Sequence, residues 1–223
     1  MNKILSWDNK EAINSLQASL NNNEISITDT DTILGFLGNT TQESFNNIIN
    51  IKGAREEKPF IILISDVSKL KYFIDINIFN KNNKIINLLN KFWPGPLTVI
   101  FKAHENLPDF LKSKNNTIAI RCPKHSGLQN ILKNFNGLFS TSANKTGEQA
   151  PTNINNINPE IIKNINYIIL DKPDKIIDTK NKLYQTLPST IIEIANNNNI
   201  KIIRQGACSI QELEKCYGEK FVK

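Results

Sequence analysis

Cysteine, arginine and long apolar runs are all scarce in this sequence of 223 residues. The three cysteines, Cys122, Cys208 and Cys216, are odd in number and widely spaced, which argues against a disulfide framework and against a paired-cysteine zinc motif. No apolar run approaches the roughly 20 residues that span a bilayer, so no membrane segment is predicted. The first residues show no signal-peptide or transit-peptide pattern. We therefore expect a cytoplasmic protein with reduced thiols.

Arginine occurs only as Arg55, Arg121 and Arg204, whereas lysine, asparagine and isoleucine are abundant. This bias is expected when codons drift towards A and T, because lysine then replaces arginine wherever either residue suffices. A planar guanidinium is hard to replace at phosphate or carboxylate sites, so each arginine is a candidate ligand-holding residue. Chance survival is the alternative for any one of them. The net charge of +6 suits a nucleotide or RNA, but the lysines form no basic run.

Helix-like and strand-like segments alternate along the chain. Apolar spacing predicts helices over 8–20, 42–51, 67–73, 85–92, 126–134 and 161–164, and a last helix from 209. Apolar runs predict strands over 24–27, 60–64, 97–101, 117–120, 138–140, 167–170, 190–194 and 200–203, the last two as a hairpin, with a loop over 28–40. This order indicates the α/β class with a mixed sheet. The length predicts one domain, 1–223.

Three polar segments lie where loops are predicted. Residues 28–32 place hydroxyls and carboxylates after a buried strand, where ligands of open α/β sheets usually bind. Residues 52–59 carry cations suited to a triphosphate, and residues 140–147 offer hydroxyls and an amide suited to phosphate oxygens. Each segment alone also fits an ordinary turn or a solvated charged loop. None is specific by itself.

Taken in order, the motifs are far more specific. The Trp-Pro-Gly-Pro-Leu-Thr string at 93–98 and the Thr-Ser-Ala-Asn string at 141–144 are the most distinctive. With them the sequence from about 25 to 207 closely resembles the Sua5/YrdC family of threonylcarbamoyl-adenylate synthases. The other matching blocks are Thr-Asp-Thr at 30–32, Lys-Gly at 52–53, Lys-Pro-Phe at 58–60, Ile-Arg-Cys-Pro-Lys-His at 120–125, Pro-Ser-Thr at 188–190 and Arg-Gln-Gly-Ala at 204–207.

The resemblance implies a single YrdC-like α/β domain, with a twisted mixed sheet flanked by helices around a large concave cavity, and a C-terminal helical tail over 208–223. It also implies the reaction of L-threonine, bicarbonate and ATP, with Mg²⁺, to give threonylcarbamoyl-AMP and pyrophosphate. The product would serve threonylcarbamoyladenosine modification of tRNA through a downstream threonylcarbamoyl transferase complex. Catalysis would rest on positioning and charge neutralisation, with no covalent intermediate.

Site residues follow from the same resemblance and from their chemical type. L-threonine is expected at Thr32, Thr117, Arg121 and Ser140, with Arg121 on its carboxylate. ATP is expected at Lys52, Arg55, Lys58, Ser142, Asn144, Ser189 and Arg204. Lys52 and Arg121 are the expected positioning groups. No metal ligated by protein is expected, and His125 is interpreted as structural or hydrogen-bonding.

The chain departs from the family pattern at three places. Thr28-Asp29 replaces an aromatic-proline pair, Leu34 replaces a tyrosine, and Ala54 stands where the family has arginine, with Arg55 one position later. Three alternatives stay open: an RNA-binding module without chemistry, a carbamoyl-transfer domain like that of hydrogenase maturation proteins, and a catalytically degenerate family member. ATP binding without turnover is the signature of the last.

Overall fold

The structure, a computed structural model, describes residues 3–53, 59–76, 83–171, 187–195 and 199–222. Within these ranges, ten strands form one sheet in the order β1-β8-β2-β3-β7-β4-β6-β5-β9-β10. The strands are β1 (Lys3–Ser6), β2 (Ser26–Thr28), β3 (Gly35–Asn39), β4 (Ile61–Leu63), β5 (Leu97–Lys102), β6 (Thr117–Arg121), β7 (Leu138–Ser142), β8 (Tyr167–Leu170), β9 (Thr190–Ile194) and β10 (Ile200–Arg204). The helices are α1 (Lys10–Asn21), α2 (Gln42–Lys52), α3 (Asn83–Phe92), α4 (Ser126–Leu132), α5 (Pro159–Ile162) and α6 (Ile210–Tyr217).

The sheet is mixed, as predicted. β1, β8 and β2 run parallel to one another, so the residues that follow them meet at one sheet edge. β3 and β7 continue with antiparallel pairing, and β4 and β6 are parallel to each other. β5 pairs with β6 antiparallel and with β9 in parallel, and β9 and β10 form the predicted antiparallel pair. The α/β class and the large mixed sheet flanked by helices are therefore confirmed.

The start, the buried side and the end of helix α2 are each explained by its local sequence. The Thr41 hydroxyl caps its first turn by accepting a hydrogen bond from the Ser44 backbone N–H. The helix buries Phe45 and Ile48 on the side that faces the sheet. Gly53 follows at φ 85°, a left-handed conformation that ends the helix and leaves Lys52 as its last residue.

Two apolar clusters cover the two faces of the sheet. Helices α2, α3 and α6 contribute to the larger cluster, and α1 and α4 contribute to the smaller one. Because side chains alternate along a strand, Ile61 and Leu63 of β4 share a face. Leu63 belongs to the smaller cluster, and Ile61 packs against the edge of that cluster and also lines the cavity described below. The helices therefore leave part of that face uncovered.

Several predicted elements need correction. Residues 28–40 were predicted as a loop, but they contain β3, and β1 was not predicted at all. β3 has glycine at its first and fourth positions, and glycine does not favour a strand in the sequence pattern. In the fold, β3 nevertheless pairs with β2 on one side and β7 on the other. The segment predicted as a helix over 67–73 is a 3₁₀ helix, Val67–Tyr72. Helix α1 begins after Asn9, whose side-chain oxygen accepts from the Glu11 backbone N–H at 2.8 Å, and not after Asp8.

Within the described ranges, every helix is too short or too polar to cross a bilayer.

Candidate functional site

A cavity of about 360 Å³ opens on the uncovered part of the sheet. Its floor is a row of cross-strand partners from four neighbouring strands. Ser140 of β7 pairs with Ile61 of β4. Ile61 pairs in turn with Ala119 of β6, and Ala119 with Ile100 of β5. These small and apolar side chains leave room above the sheet for a ligand.

Most of the predicted site residues come together around this cavity. They come from six separate segments of the chain, which the topology brings to one place. The predicted residues that line it are Thr32, Lys52, Arg121, Ser140, Ser142, Ser189 and Arg204. Arg55 and Lys58 were also predicted, but they lie outside the described residues, as does Ala54.

Thr117 is not among the side chains that line the cavity. It begins strand β6 and Arg121 ends it, so about 13 Å of extended chain separates them. The Thr117 hydroxyl is 2.7 Å from the Ser113 hydroxyl and belongs to the turn that precedes β6. Thr117 therefore lies apart from Arg121 although the two are close in sequence, and its place in the threonine subsite stays a prediction.

Arg121 is the most enclosed charged side chain of the site, with 5% of its surface exposed. Its Nε donates to the Gly95 carbonyl oxygen at 3.2 Å, and Nη1 donates to Thr32 Oγ1 at 2.8 Å. Its Nη2 donates to Asp31 Oδ1, which completes an ion pair. Burial lowers the pKa of Arg121, and the Asp31 carboxylate opposes this effect. A guanidinium stays charged in proteins, so the site holds a fixed cation.

In the loop between β2 and β3, the contacts define which hydroxyl donates and which accepts each hydrogen bond. Thr30 Oγ1 donates its proton to the Ile33 carbonyl oxygen at 2.9 Å. The Thr32 hydroxyl, 2.9 Å from Thr30 Oγ1, must then be the donor of that pair, while it accepts from Arg121. Thr32 is 2% exposed and lines the cavity. Because its proton is already donated to Thr30, Oγ1 can offer a ligand only its remaining lone pair, as a hydrogen-bond acceptor.

The proline-rich loop before β5 supplies the carbonyl that holds Arg121. The Gly95 backbone N–H donates to the Cys122 carbonyl oxygen at 2.8 Å, which ties the loop to the residue after β6. A Cβ at Gly95 would lie 2.5 Å from the Phe92 carbonyl oxygen, so only glycine fits. Trp93 Nε1 donates to the Leu97 carbonyl oxygen at 2.7 Å and closes the loop.

Lys52, the last residue of α2, lines the cavity beside the end of β7. Its Nζ donates to the carbonyl oxygens of Ser142 at 2.9 Å and Asn144 at 2.8 Å, and it lies 5.5 Å from the centre of the Phe36 ring. These contacts place a positive charge at the end of β7. Anions such as phosphates are stabilised by a cation held in this way.

Asn144 lies in the turn after β7 and is not among the cavity-lining side chains. Its Nδ2 donates to the carbonyl oxygens of Lys145 and Glu148, at 2.9 and 2.7 Å, which shapes the turn after β7. Its Oδ1 is buried without a hydrogen-bond partner among the described residues. Asn144 therefore holds the turn that carries Ser142 and the Lys52 contacts.

Arg204 and Ser189 form the far end of the cavity. Arg204 Nε and Nη2 both donate to the Ser189 carbonyl oxygen, at 3.1 and 2.9 Å, and the Ser189 hydroxyl is 2.8 Å from the Thr98 hydroxyl. Burial lowers the pKa of Arg204. A Cβ at Gly206 would lie 2.1 Å from the Pro188 carbonyl oxygen, so the chain can pass this close only with glycine.

A separate cluster lies where β1, β8 and β2 end, with Asp29 and His125 buried and Asp171 exposed. His125 Nε2 is 3.4 Å from Asp29 Oδ1 and 3.4 Å from Asp171 Oδ1. Burial lowers the pKa of His125, but the neighbouring carboxylates, Asp29 first, outweigh burial and raise it above its ordinary value. Within the described ranges, these three side chains are close enough together to hold a metal ion.

The proton on His125 argues against a metal in this cluster. His125 Nδ1 accepts a hydrogen bond from the Leu128 backbone N–H at 3.2 Å and so caps α4. The neutral ring then carries its proton on Nε2, the atom that faces the carboxylates, whereas a metal needs a lone pair there. Asp29 also accepts from Trp7 Nε1 at 2.6 Å and from the Asp171 backbone N–H at 2.7 Å. The contacts fit an ion-pair cluster in which Asp29 is held by hydrogen bonds from Trp7 and Asp171, and His125 Nε2 lies 3.4 Å from each carboxylate without a hydrogen bond among the described residues.

The mixed sheet defines an α/β protein, and the three cations Lys52, Arg121 and Arg204 make its cavity a candidate site for an anionic ligand. The family model described as telomere recombination, which covers Sua5, YciO and YrdC, matches residues 18–206. The chain belongs to this family.

Relatives and solved structures agree with that assignment. A protein of Methanocaldococcus jannaschii named "Putative threonylcarbamoyl-AMP synthase" is 30% identical over 210 residues, which is 94% of this chain and 92% of the relative. Threonylcarbamoyl-AMP synthase of Wigglesworthia glossinidia brevipalpis is 35% identical over 162 residues, 72% of this chain and 76% of the relative. The crystal structure of Pyrococcus abyssi Sua5 complexed with L-threonine shares the fold, with a TM-score of 0.81 at 22% identity. This chain is covered completely and spans 63% of that Sua5 chain.

Proposed function

We propose that this chain is an L-threonylcarbamoyladenylate synthase, which makes threonylcarbamoyl-AMP and pyrophosphate from L-threonine, bicarbonate and ATP. It is an enzyme of the nucleotidyltransferase type, as its curated relatives are. The observation that carries the proposal is the buried guanidinium of Arg121, presented to a cavity that Lys52 and Arg204 also line. The proposed use of the product is threonylcarbamoyladenosine modification of tRNA by a downstream transferase complex.

The threonine subsite is proposed around Arg121. A carboxylate is bound best by two parallel N–H groups of a guanidinium, and Arg121 offers them from a largely dry position. Thr32 Oγ1 has acceptor capacity left, so it suits the amino group of the substrate better than the carboxylate. Ser140 on the cavity floor completes this subsite.

The nucleotide subsite is proposed between Lys52 and Arg204. Lys52 at the end of α2 would neutralise the phosphates, and Ser142 beside it would contribute a hydroxyl. Ser189 and Arg204 would bind the nucleotide at the other end of the cavity. ATP is proposed to bind as its Mg²⁺ complex, since charge neutralisation is the main requirement of such transfers.

The chemistry needs positioning more than a reactive side chain. The threonine amine adds to bicarbonate and water leaves, which forms a carbamate. A carbamate oxygen then attacks the α-phosphorus of ATP, and the bond to the β-phosphate breaks to release pyrophosphate. Burial raises the pKa of the Cys122 thiol, beside Arg121, to about 11, so it is protonated and unsuited to act as a nucleophile. Fixed cations and a water-poor cavity are what this route requires.

The experiment is to incubate the purified protein with ATP, Mg²⁺, bicarbonate and L-threonine and to measure pyrophosphate release with and without threonine. We expect threonine-dependent release, reduced at least 100-fold in Arg121→Ala because the carboxylate anchor is lost. Lys163→Ala is the control, since Lys163 is exposed and pairs with Glu160 away from the cavity. ATP binding without release in the wild-type protein would contradict the proposal and favour a degenerate or RNA-binding family member.

A further inference from the structure

Arg121 presents its guanidinium to the cavity in an orientation set by three partners on three sides. Gly95 accepts from Nε, Thr32 from Nη1 and Asp31 from Nη2. A guanidinium has five N–H groups, so these bonds leave one on each terminal nitrogen. Two N–H groups are what a bidentate carboxylate needs. The number of remaining N–H groups equals the number a carboxylate needs. Carboxylate binding therefore depends on how the three partners orient the plane of the guanidinium.

Asp31 differs from Thr32 in its position relative to the cavity. Thr32 and Arg121 line the cavity, but Asp31 does not. The Asp31 side chain is only 12% exposed, and that of Arg121 6%. A ligand in the cavity would therefore contact Arg121 and Thr32, whereas Asp31 contacts the guanidinium without lining the cavity.

The Asp31 carboxylate is itself fixed. While Oδ1 accepts from Arg121, Oδ2 accepts from the Lys124 backbone N–H at 2.9 Å. Lys124 follows β6 by three residues, so one carboxylate ties the β2–β3 loop to the end of the strand that carries Arg121. A carboxylate held at both oxygens defines the direction of the guanidinium more tightly than a freely rotating one.

We infer that Asp31 is a positioning residue that orients Arg121 for the carboxylate of the amino-acid substrate. The inference rests on the proposed function, because that carboxylate is assigned to the threonine substrate. Asp31 acts through Arg121 and does not touch the substrate. Its removal should weaken recognition of the carboxylate and leave the nucleotide subsite, which lies against Lys52 and Arg204, largely unchanged.

The test compares Asp31→Asn, Asp31→Glu and the control Glu160→Gln with the wild-type protein. Glu160→Gln makes the same chemical change in an exposed ion pair with Lys163. Binding of L-threonine and of L-threoninamide, which lacks the carboxylate charge, is measured by calorimetry, and KM is measured for threonine and ATP. Melting temperatures show whether each variant folds.

We expect Asp31→Asn to weaken threonine binding at least tenfold while threoninamide binding and KM for ATP change less than threefold. Asp31→Glu should recover part of the preference for threonine, and Glu160→Gln should match the wild type. Equal losses for threonine, threoninamide and ATP would overturn the inference, since they indicate a purely structural role. Tighter threonine binding in Asp31→Asn would also overturn it, because Asp31 would then compete for Arg121. If wild-type protein binds threonine with this preference but releases no pyrophosphate, the proposed function fails while the orienting role stands.

Discussion

Arg121 and Thr32 are 89 residues apart in sequence, yet they meet in a hydrogen bond at the cavity. Each was predicted as a site residue from its chemical type and its motif. Their contact could not be predicted, because it depends on β2, β3, β7, β4 and β6 lying side by side in the sheet. Asp31 was missed for the same reason, since its role appears only once its partner is known. Thr117 was assigned to the same subsite because it is near Arg121 in sequence, and that assignment stays a prediction, since the strand holds the two residues apart.

The hydroxyl of Thr32 gives a residue-scale prediction. Thr32→Val keeps the shape but removes the acceptor for Arg121 Nη1. Losing a hydrogen bond to a charged group costs about 1.5–3 kcal/mol, so KM for threonine should rise roughly 10- to 100-fold. Thr32→Ser keeps the oxygen and should stay within about threefold of the wild type. Unchanged kinetics in Thr32→Val would show that Gly95 and Asp31 alone hold Arg121.

At the scale of elements, the end of the cavity near Arg204 depends on the junction between β9 and the segment after β10. Thr190 is fully buried at the start of β9. Its hydroxyl donates to the Cys208 carbonyl oxygen at 2.7 Å and accepts from the backbone N–H groups of Gly206 and Cys208, both at 2.9 Å. One side chain therefore holds the turn that follows Arg204.

Thr190→Val tests this junction. The variant has nearly the same volume but leaves buried backbone groups without a partner, so the free energy of unfolding should fall by about 1–3 kcal/mol. KM for ATP should rise, since Arg204 loses its fixed position, and Thr190→Ser should recover most of both losses. Denaturant unfolding and steady-state kinetics measure these effects. Thr152→Val, which changes an exposed threonine, is the control. No loss of stability in Thr190→Val would refute this role.

Element boundaries show where sequence patterns succeed and fail. The amphipathic helix α2 and the paired strands β9 and β10 were predicted almost to the residue, because their apolar periodicity is clear. β3 was missed since its two glycines interrupt the pattern, although pairing with β2 and β7 compensates in the fold. Tertiary pairing outweighed local propensity there.

For the whole molecule, the cluster of His125, Asp29 and Asp171 predicts how stability depends on pH. The pKa of His125 is raised by its carboxylate neighbours despite burial, and burial, together with Asp29, raises that of Asp171. A group with a raised folded-state pKa stabilises the fold below its unfolded pKa and loses that contribution as pH rises through the folded value. Stability should therefore fall as pH rises above about 6.5, the ordinary value for histidine.

His125→Asn separates this titration from the helix cap. Asparagine is a good N-cap acceptor for the Leu128 N–H but does not titrate, so helix α4 keeps its cap. We expect the melting temperature of the wild type to decline between about pH 6.5 and 8, and that of the variant to be flatter over the same range. Equal slopes would show that His125 does not carry the pH dependence.

The proposed whole-molecule account is that threonine, bicarbonate and ATP react on the uncovered face of the sheet, with Lys52 beside β7, Arg204 on β10 and Arg121 on β6 between them. Mass spectrometry of the product formed with ¹³C-labelled bicarbonate tests this most directly. The account predicts labelled threonylcarbamoyl-AMP, formed only when protein, ATP, Mg²⁺, bicarbonate and threonine are all present, and lost in Arg121→Ala. Unlabelled AMP or unchanged ATP in the complete mixture, from a folded protein that binds ATP, would contradict it.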